Sequence, residues 1–167
     1  MCKDSLIARD WYYSATGQDV IDDILKTGNW HPEKNANSMY GTAVYLADSN
    51  WYKDDAAPRI IRCRLSLSPD EFCCSFDASS FDASLGVGRT GKHLRGYLKS
   101  QGIRATTTPS HGDSTLNTAI KDFFAQQRVR AVCFDEYVGV PVVAVYDTTA
   151  IVDLCGVASD DVPQCPV

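Results

Sequence analysis

The 167-residue chain has no run of roughly 18 or more apolar residues, so no stretch of it reads as a membrane-spanning helix. It carries seven cysteines, at 2, 63, 73, 74, 133, 155 and 165, but no Cys-x-x-Cys pair. Structural zinc sites draw ligands from such closely spaced pairs, so no metal site is expected. There is no excess of positive charge. Lys and Arg number 16 against 21 Asp and Glu, a net charge of −5, which argues against broad nucleic-acid binding. The opening residues, MCKDSLIARDW, lack the apolar core of a secretory signal, which points to a cytoplasmic protein or one exported by another route.

What is present is ordinary for a globular chain: 44% apolar and 22% charged residues, and a length that suits one domain. Cys63 and Cys133 stand inside apolar runs and read as core residues; the thiols are expected to be mostly reduced.

The hydrophobic pattern divides the chain into short elements. A strand-like Trp11–Ser14 precedes a helix over 18–27, with Thr16 and Asp19 as a capping box, Val20, Ile21, Ile24 and Leu25 at helical spacing, and Gly28 as the stop. Strands are expected over 42–47 and over 59–67. In the second, Ile61, Cys63, Leu65 and Leu67 alternate with Arg62, Arg64 and Ser66. Helices are expected over 92–100 and 115–127, the latter with a stripe of Leu116, Ile120, Phe123 and Phe124. Strands 129–134 and 140–146 follow, joined by a turn containing Gly139, and the tail after Leu154 reads as loose. Strands and helices do not alternate regularly, so an α+β fold with mainly antiparallel pairing is expected. The domain spans 1–154 and the tail 155–167.

Two local features invite chemistry. From Arg89 to Arg104 the chain carries Arg89, Lys92, Arg95, Lys99 and Arg104 with no acid, which could mark a phosphate but suits a solvated helix face better. Gly86-Val87-Gly88-Arg89-Thr90-Gly91 matches the dinucleotide glycine pattern, but no buried strand precedes it and no acid follows until Asp113. A loop explains it better.

The segment YGTAVYLADSNWY, Tyr40–Tyr52, places three tyrosines and a tryptophan around a short apolar strand. Together with YYSATGQDVIDDILKTG it resembles the N-terminal half of the ADP-ribosyltransferase fold, in the branch of the poly(ADP-ribose) polymerases and related bacterial toxin domains. Ile24-Leu25-Lys26-Thr27-Gly28 matches the family's helix end. Tyr40-Gly41-Thr42-Ala43-Val44-Tyr45-Leu46-Ala47 matches its second strand, with alanine at the second glycine. Val142–Ile151 is similar to its closing strand.

The resemblance implies a split antiparallel β-sandwich with peripheral helices. It implies NAD as substrate, cleavage of the nicotinamide–ribose bond, and transfer of a single ADP-ribose to a macromolecular acceptor, protein rather than nucleic acid. Tyr45 would stack on the nicotinamide and Trp51 or Tyr52 would close its other face, with Gly41 and Ser49 also in the pocket. Ser14 falls where the family has a ribose-binding histidine, and the Ala15 backbone would hold the amide. The family's catalytic glutamate falls on Val142. The nearest acids are Asp135 and Glu136, and Glu136 is the nominated catalytic acid. His31, His111 and Arg9 are secondary candidates for ligand contact. An exported effector acting in a host cytoplasm is then a second possible setting beside the cytoplasm. The departures at Ser14 and Val142 leave three alternatives: a silent module that binds NAD, ADP-ribose or a protein; an NAD glycohydrolase; and an RNA 2′-phosphotransferase-like enzyme.

Overall fold

The computed structural model describes residues 11–34, 41–47, 59–73, 114–135, 141–157 and 163–164. Within them the chain is α+β. Strand β1 (Tyr12–Thr16) leads to helix α1 (Gln18–Thr27), then β2 (Val44–Ala47), β3 (Arg59–Leu65) and β4 (Phe72–Cys73). Helix α2 (Ser114–Gln126) is followed by β5 (Ala131–Asp135), β6 (Pro141–Val145), β7 (Ile151–Val157) and β8 (Pro163–Gln164). The spatial order is β4-β5-β6-β2-β1-β3-β7-β8. Every pairing is antiparallel except β4 with β5.

The sheet falls into two halves. β2, β6 and β5 are paired along their length, from Val44↔Val145 to Ala47↔Val142 and from Ala131↔Val145 to Asp135↔Pro141. β1 is likewise paired with β3 at all five of its residues. Between the halves, Tyr13 of β1 pairs with Ala47 of β2 among the described residues.

Side chains alternate across a strand, so each residue's face follows from its position. Tyr12, Val44, Leu46, Cys63, Cys133, Val143, Val145 and Ile151 enter one core cluster, drawn from strands of both halves. The alternation expected of β3 holds: Ile61 and Cys63 are fully buried, Arg64 and Ser66 exposed. Cys63 and Cys133 are buried and in no disulfide, and burial pushes the Cys63 thiol up to about 12.

Helix α1 turns Ile21 and Ile24 onto Ile61. It ends where expected: Gly28 adopts φ 70°, and its N–H donates to the Ile24 carbonyl at 2.7 Å. Its start differs from the expectation. Thr16 is the last residue of β1, Gly17 is the N-cap, and no side chain caps the helix. The extended chain claims Thr16 for pairing with Arg59, so its hydroxyl does not serve as a cap.

Helix α2 lies against the β2 half. Phe124 stacks on Tyr146 with ring centres 4.9 Å apart, and Ile120 is fully buried. Gly41 sits beneath this helix at φ 94°. A Cβ there would lie 2.8 Å from Ile120 Cβ and 3.0 Å from the Asn117 carbonyl oxygen. The next N–H, of Thr42, donates to that same carbonyl at 3.2 Å.

The C-terminal region departs most from expectation. The tail was to begin at 155, yet β7 runs through Val157 and pairs with β3, and β8 pairs with β7. The reason is a bulge. Arg62 pairs with Cys155 and Arg64 with Val152, so β7 carries one extra residue, and Asp153 takes φ 53°. That interruption hides the two-residue period of IVDLCGV. Cys155 is disulfide-bonded. The expected helix over 92–100 lies outside the described residues.

Candidate functional site

The motif segments of the sequence meet where the halves join. Ser14 and Ala15 follow the junction pair on β1; Tyr45 and Leu46 precede it on β2. One transverse row crosses the junction: Arg62 on β3, Tyr13 on β1, Ala47 on β2, Val142 on β6. Val142, on which the resemblance sets the family's glutamate, thus pairs with Ala47, the β2 residue of the junction.

Tyr45 is half-buried, and its hydroxyl donates to the Gly41 carbonyl at 2.5 Å. That bond ties the ring back to the entry of its own strand. Alternation puts Tyr45 on the face away from the core that Val44 and Leu46 enter. Ser14 shares its face with Tyr12, on the core side. The two residues expected to act together therefore stand on adjacent strands but opposite faces. Ala15 shares the Tyr13 face, which is that of Ala47 and Tyr45. Of the expected set, Ala15 and Tyr45 are brought to one face. Gly41, expected in the pocket, has a packing job against α2.

Ser49, Trp51, Tyr52, Glu136, His111 and Arg9 lie outside the described residues. Asp135 pairs through its backbone with Pro141 at the end of β5. His31 is exposed, 3.2 Å from a Glu33 oxygen and 3.7 Å from an Asp23 oxygen. No group of three His, Cys, Asp or Glu among the described residues could hold a metal ion.

A polar knot outside the expected site lies near the start of β5. Arg130 donates through Nε to Asp147 Oδ2 at 2.8 Å, through NH2 to Thr149 Oγ1 at 2.8 Å and through NH1 to Glu71 Oε1 at 3.3 Å. Its backbone N–H donates to the Glu71 carbonyl at 2.8 Å, and its carbonyl accepts from Tyr146 N–H at 2.9 Å. The backbone N–H and hydroxyl of Ser68 both donate to Glu71 Oε2, holding its carboxyl below the ordinary carboxylate range, with Arg130 adding to the effect. Asp147 is lowered first by the Thr149 hydroxyl, against the opposing cost of burial, then by the Thr149 N–H and by Arg130. Ser68-x-x-Glu71 is a full capping-box pattern in the sequence, a signal that pointed to half of this knot. Arg130, Glu71, Asp147, Thr149 and Ser68 bond chiefly to one another, so the knot reads as structural.

No helix among the described residues is long and apolar enough to cross a membrane. No family model, curated protein or solved structure matches this chain.

Proposed function

We propose that the chain is an NAD-dependent mono-ADP-ribosyltransferase of the ADP-ribosyltransferase fold, releasing nicotinamide and passing ADP-ribose to a macromolecular acceptor. The observation that carries this reading is the β1–β2 junction. The segments that resemble the family's two NAD-binding strands meet there, with Tyr13 paired to Ala47. A planar ring entering there would meet the Tyr45 ring and the Ala15 backbone on one face. Stacking on Tyr45 adds of order 1 kcal/mol beyond burial. Ser14 approaches from the other face and contributes less. Glu136 is the acid assigned to stabilising the oxocarbenium-like transition state.

One observation favours a second reading, a module that binds NAD or ADP-ribose without chemistry. The junction row carries valine, not an acid, at 142.

The test is incubation with NAD labelled on the adenine side, with and without cell lysate, following free nicotinamide and label transfer. The transferase reading expects nicotinamide release with a labelled band. Tyr45→Ala should cut release about tenfold or more and Glu136→Ala should abolish it. Val142→Glu separates the readings: NAD binding without release in the natural chain, with release gained by the variant, identifies the binding module. Absence of NAD binding by every form overturns both.

A further inference from the structure

Tyr45 covers one face of a planar ring at the junction, and the register supplies a second wall from β1. Tyr13 pairs with Ala47, and alternation sets Tyr13, Ala15, Ala47 and Tyr45 on one face of the sheet. Tyr45 stands two positions before Ala47, and Ala15 two positions after Tyr13. The two tyrosines therefore occupy diagonal corners of one block, with an alanine at each of the other corners. Diagonal neighbours across an antiparallel pair lie about 7–8 Å apart, within reach of aromatic side chains. A flat ring in contact on both faces, at about 3.5–4.0 Å each, needs a gap of that same width.

The block also has room. Each alanine carries a single methyl group, so the floor between the rings is low. No pair joins Ala15 to Tyr45, both of them described residues, so the ladder does not draw that corner closed. Tyr45 is held in place by its bond to the Gly41 carbonyl. Tyr13 is half-buried; among the described residues its hydroxyl makes no hydrogen bond and its ring stacks on no other.

We propose that Tyr13 is the second aromatic wall of the NAD site, sandwiching the nicotinamide against Tyr45 over the floor of Ala15 and Ala47. The proposal rests on the NAD reading and changes what the site is built from. The resemblance drew the second ring from Trp51 or Tyr52, beyond the end of β2; Tyr13 comes from β1, in the other half of the sheet. The two walls then belong to different halves, and the Tyr13↔Ala47 register sets the width between them. A slot of that width takes a flat aromatic ring and excludes a saturated one, which makes Tyr13 a specificity-determining residue as well as a binding one.

The full chain is titrated with nicotinamide and with NAD, and the nicotinamide ring protons are followed by NMR. A ring held between two tyrosines is shifted upfield by both ring currents. Tyr13→Phe keeps the upfield shift and the affinity of the natural chain. Tyr13→Leu loses part of the shift and weakens binding about tenfold, with the urea midpoint recording that the chain stays folded. Tyr13→Val, a strand former, repeats the test where leucine unfolds the chain. Shift and affinity unchanged in Tyr13→Leu, while Tyr45→Ala weakens both, overturn the proposal and leave the NAD reading intact. Binding that depends on Tyr13 without nicotinamide release supports the proposal and removes the transferase. No binding of either ligand by the natural chain overturns both.

Discussion

The two halves of the sheet are built from different kinds of strand. β5 and β6, AVCFD and PVVAV, are continuous apolar runs. They are buried on both faces: Cys133, Val143 and Val145 enter the core, while Val132 and Ala144 are equally inaccessible on the face toward α2. In the other half, β3 alternates instead. β3 buries Ile61 and Cys63 and shows Arg62 and Arg64 on its other face, where their guanidinium carbons lie 4.0 and 4.5 Å from the centre of the Trp11 ring. One half is a filled layer; the other has a wet face whose cations rest on an indole. The β2 half is anchored by its helix, the β1 half by β3 and α1, and the shared core spans both.

That contrast can be broken from the filled side at greatest cost. Phe124→Ala empties a site that is 1% exposed and removes the stack on Tyr146. It should cost about 3–5 kcal/mol, read as a lowered urea midpoint. Gly41→Ala adds a methyl group between the Ile120 side chain and the Asn117 backbone at a positive φ, and should cost about 2–4 kcal/mol. Gly28→Ala, also at positive φ but with open space around it, should cost only about 1 kcal/mol. Equal losses at the two glycines would remove the close approach of α2 from the account.

The polar knot gives a smaller, pH-dependent effect. Glu71 and Asp147 both have lowered folded values. Their stabilisation is therefore present above the unfolded carboxylate pKa and is lost as pH falls through the folded values. Stability should drop between about pH 5 and about pH 2. Arg130→Gln should flatten that slope only in part, because bonds from Ser68 and Thr149 lead the two shifts; urea midpoints across the range measure it. On the wet face, Arg64→Ala should cost no more than about 1 kcal/mol. Arg64 is half exposed, and its ion pair with Asp153 spans 3.6 Å. A larger loss there would mean that the Trp11 face is more than a solvated surface.

The parts of the fold that were legible in the sequence are those with an uninterrupted period. β3, α2, the Gly28 stop and the two buried thiols all follow from spacing alone. β7 was not legible, because the extra residue at Asp153 shifts the alternation midway. The cap at Thr16 misled because the strand had the stronger claim on it. In the candidate site, only the resemblance set Ala15 and Tyr45 together, and the structure brings them to one face. Which face each occupies depends on the register Tyr13↔Ala47, and no local pattern encodes a register between strands thirty residues apart. The same limit hid the Arg130 knot, whose partners come from three separate stretches.

Gly41 has a mechanical consequence. Its missing side chain lets α2 rest directly on the backbone, and its carbonyl is the acceptor that holds the Tyr45 hydroxyl. The helix and the ring thus share one peptide as a fulcrum. A shift of α2 along its axis carries that carbonyl with it and swings the ring at its far end, so whatever presses on the outer surface of α2 has a lever on the aromatic side chain at the junction.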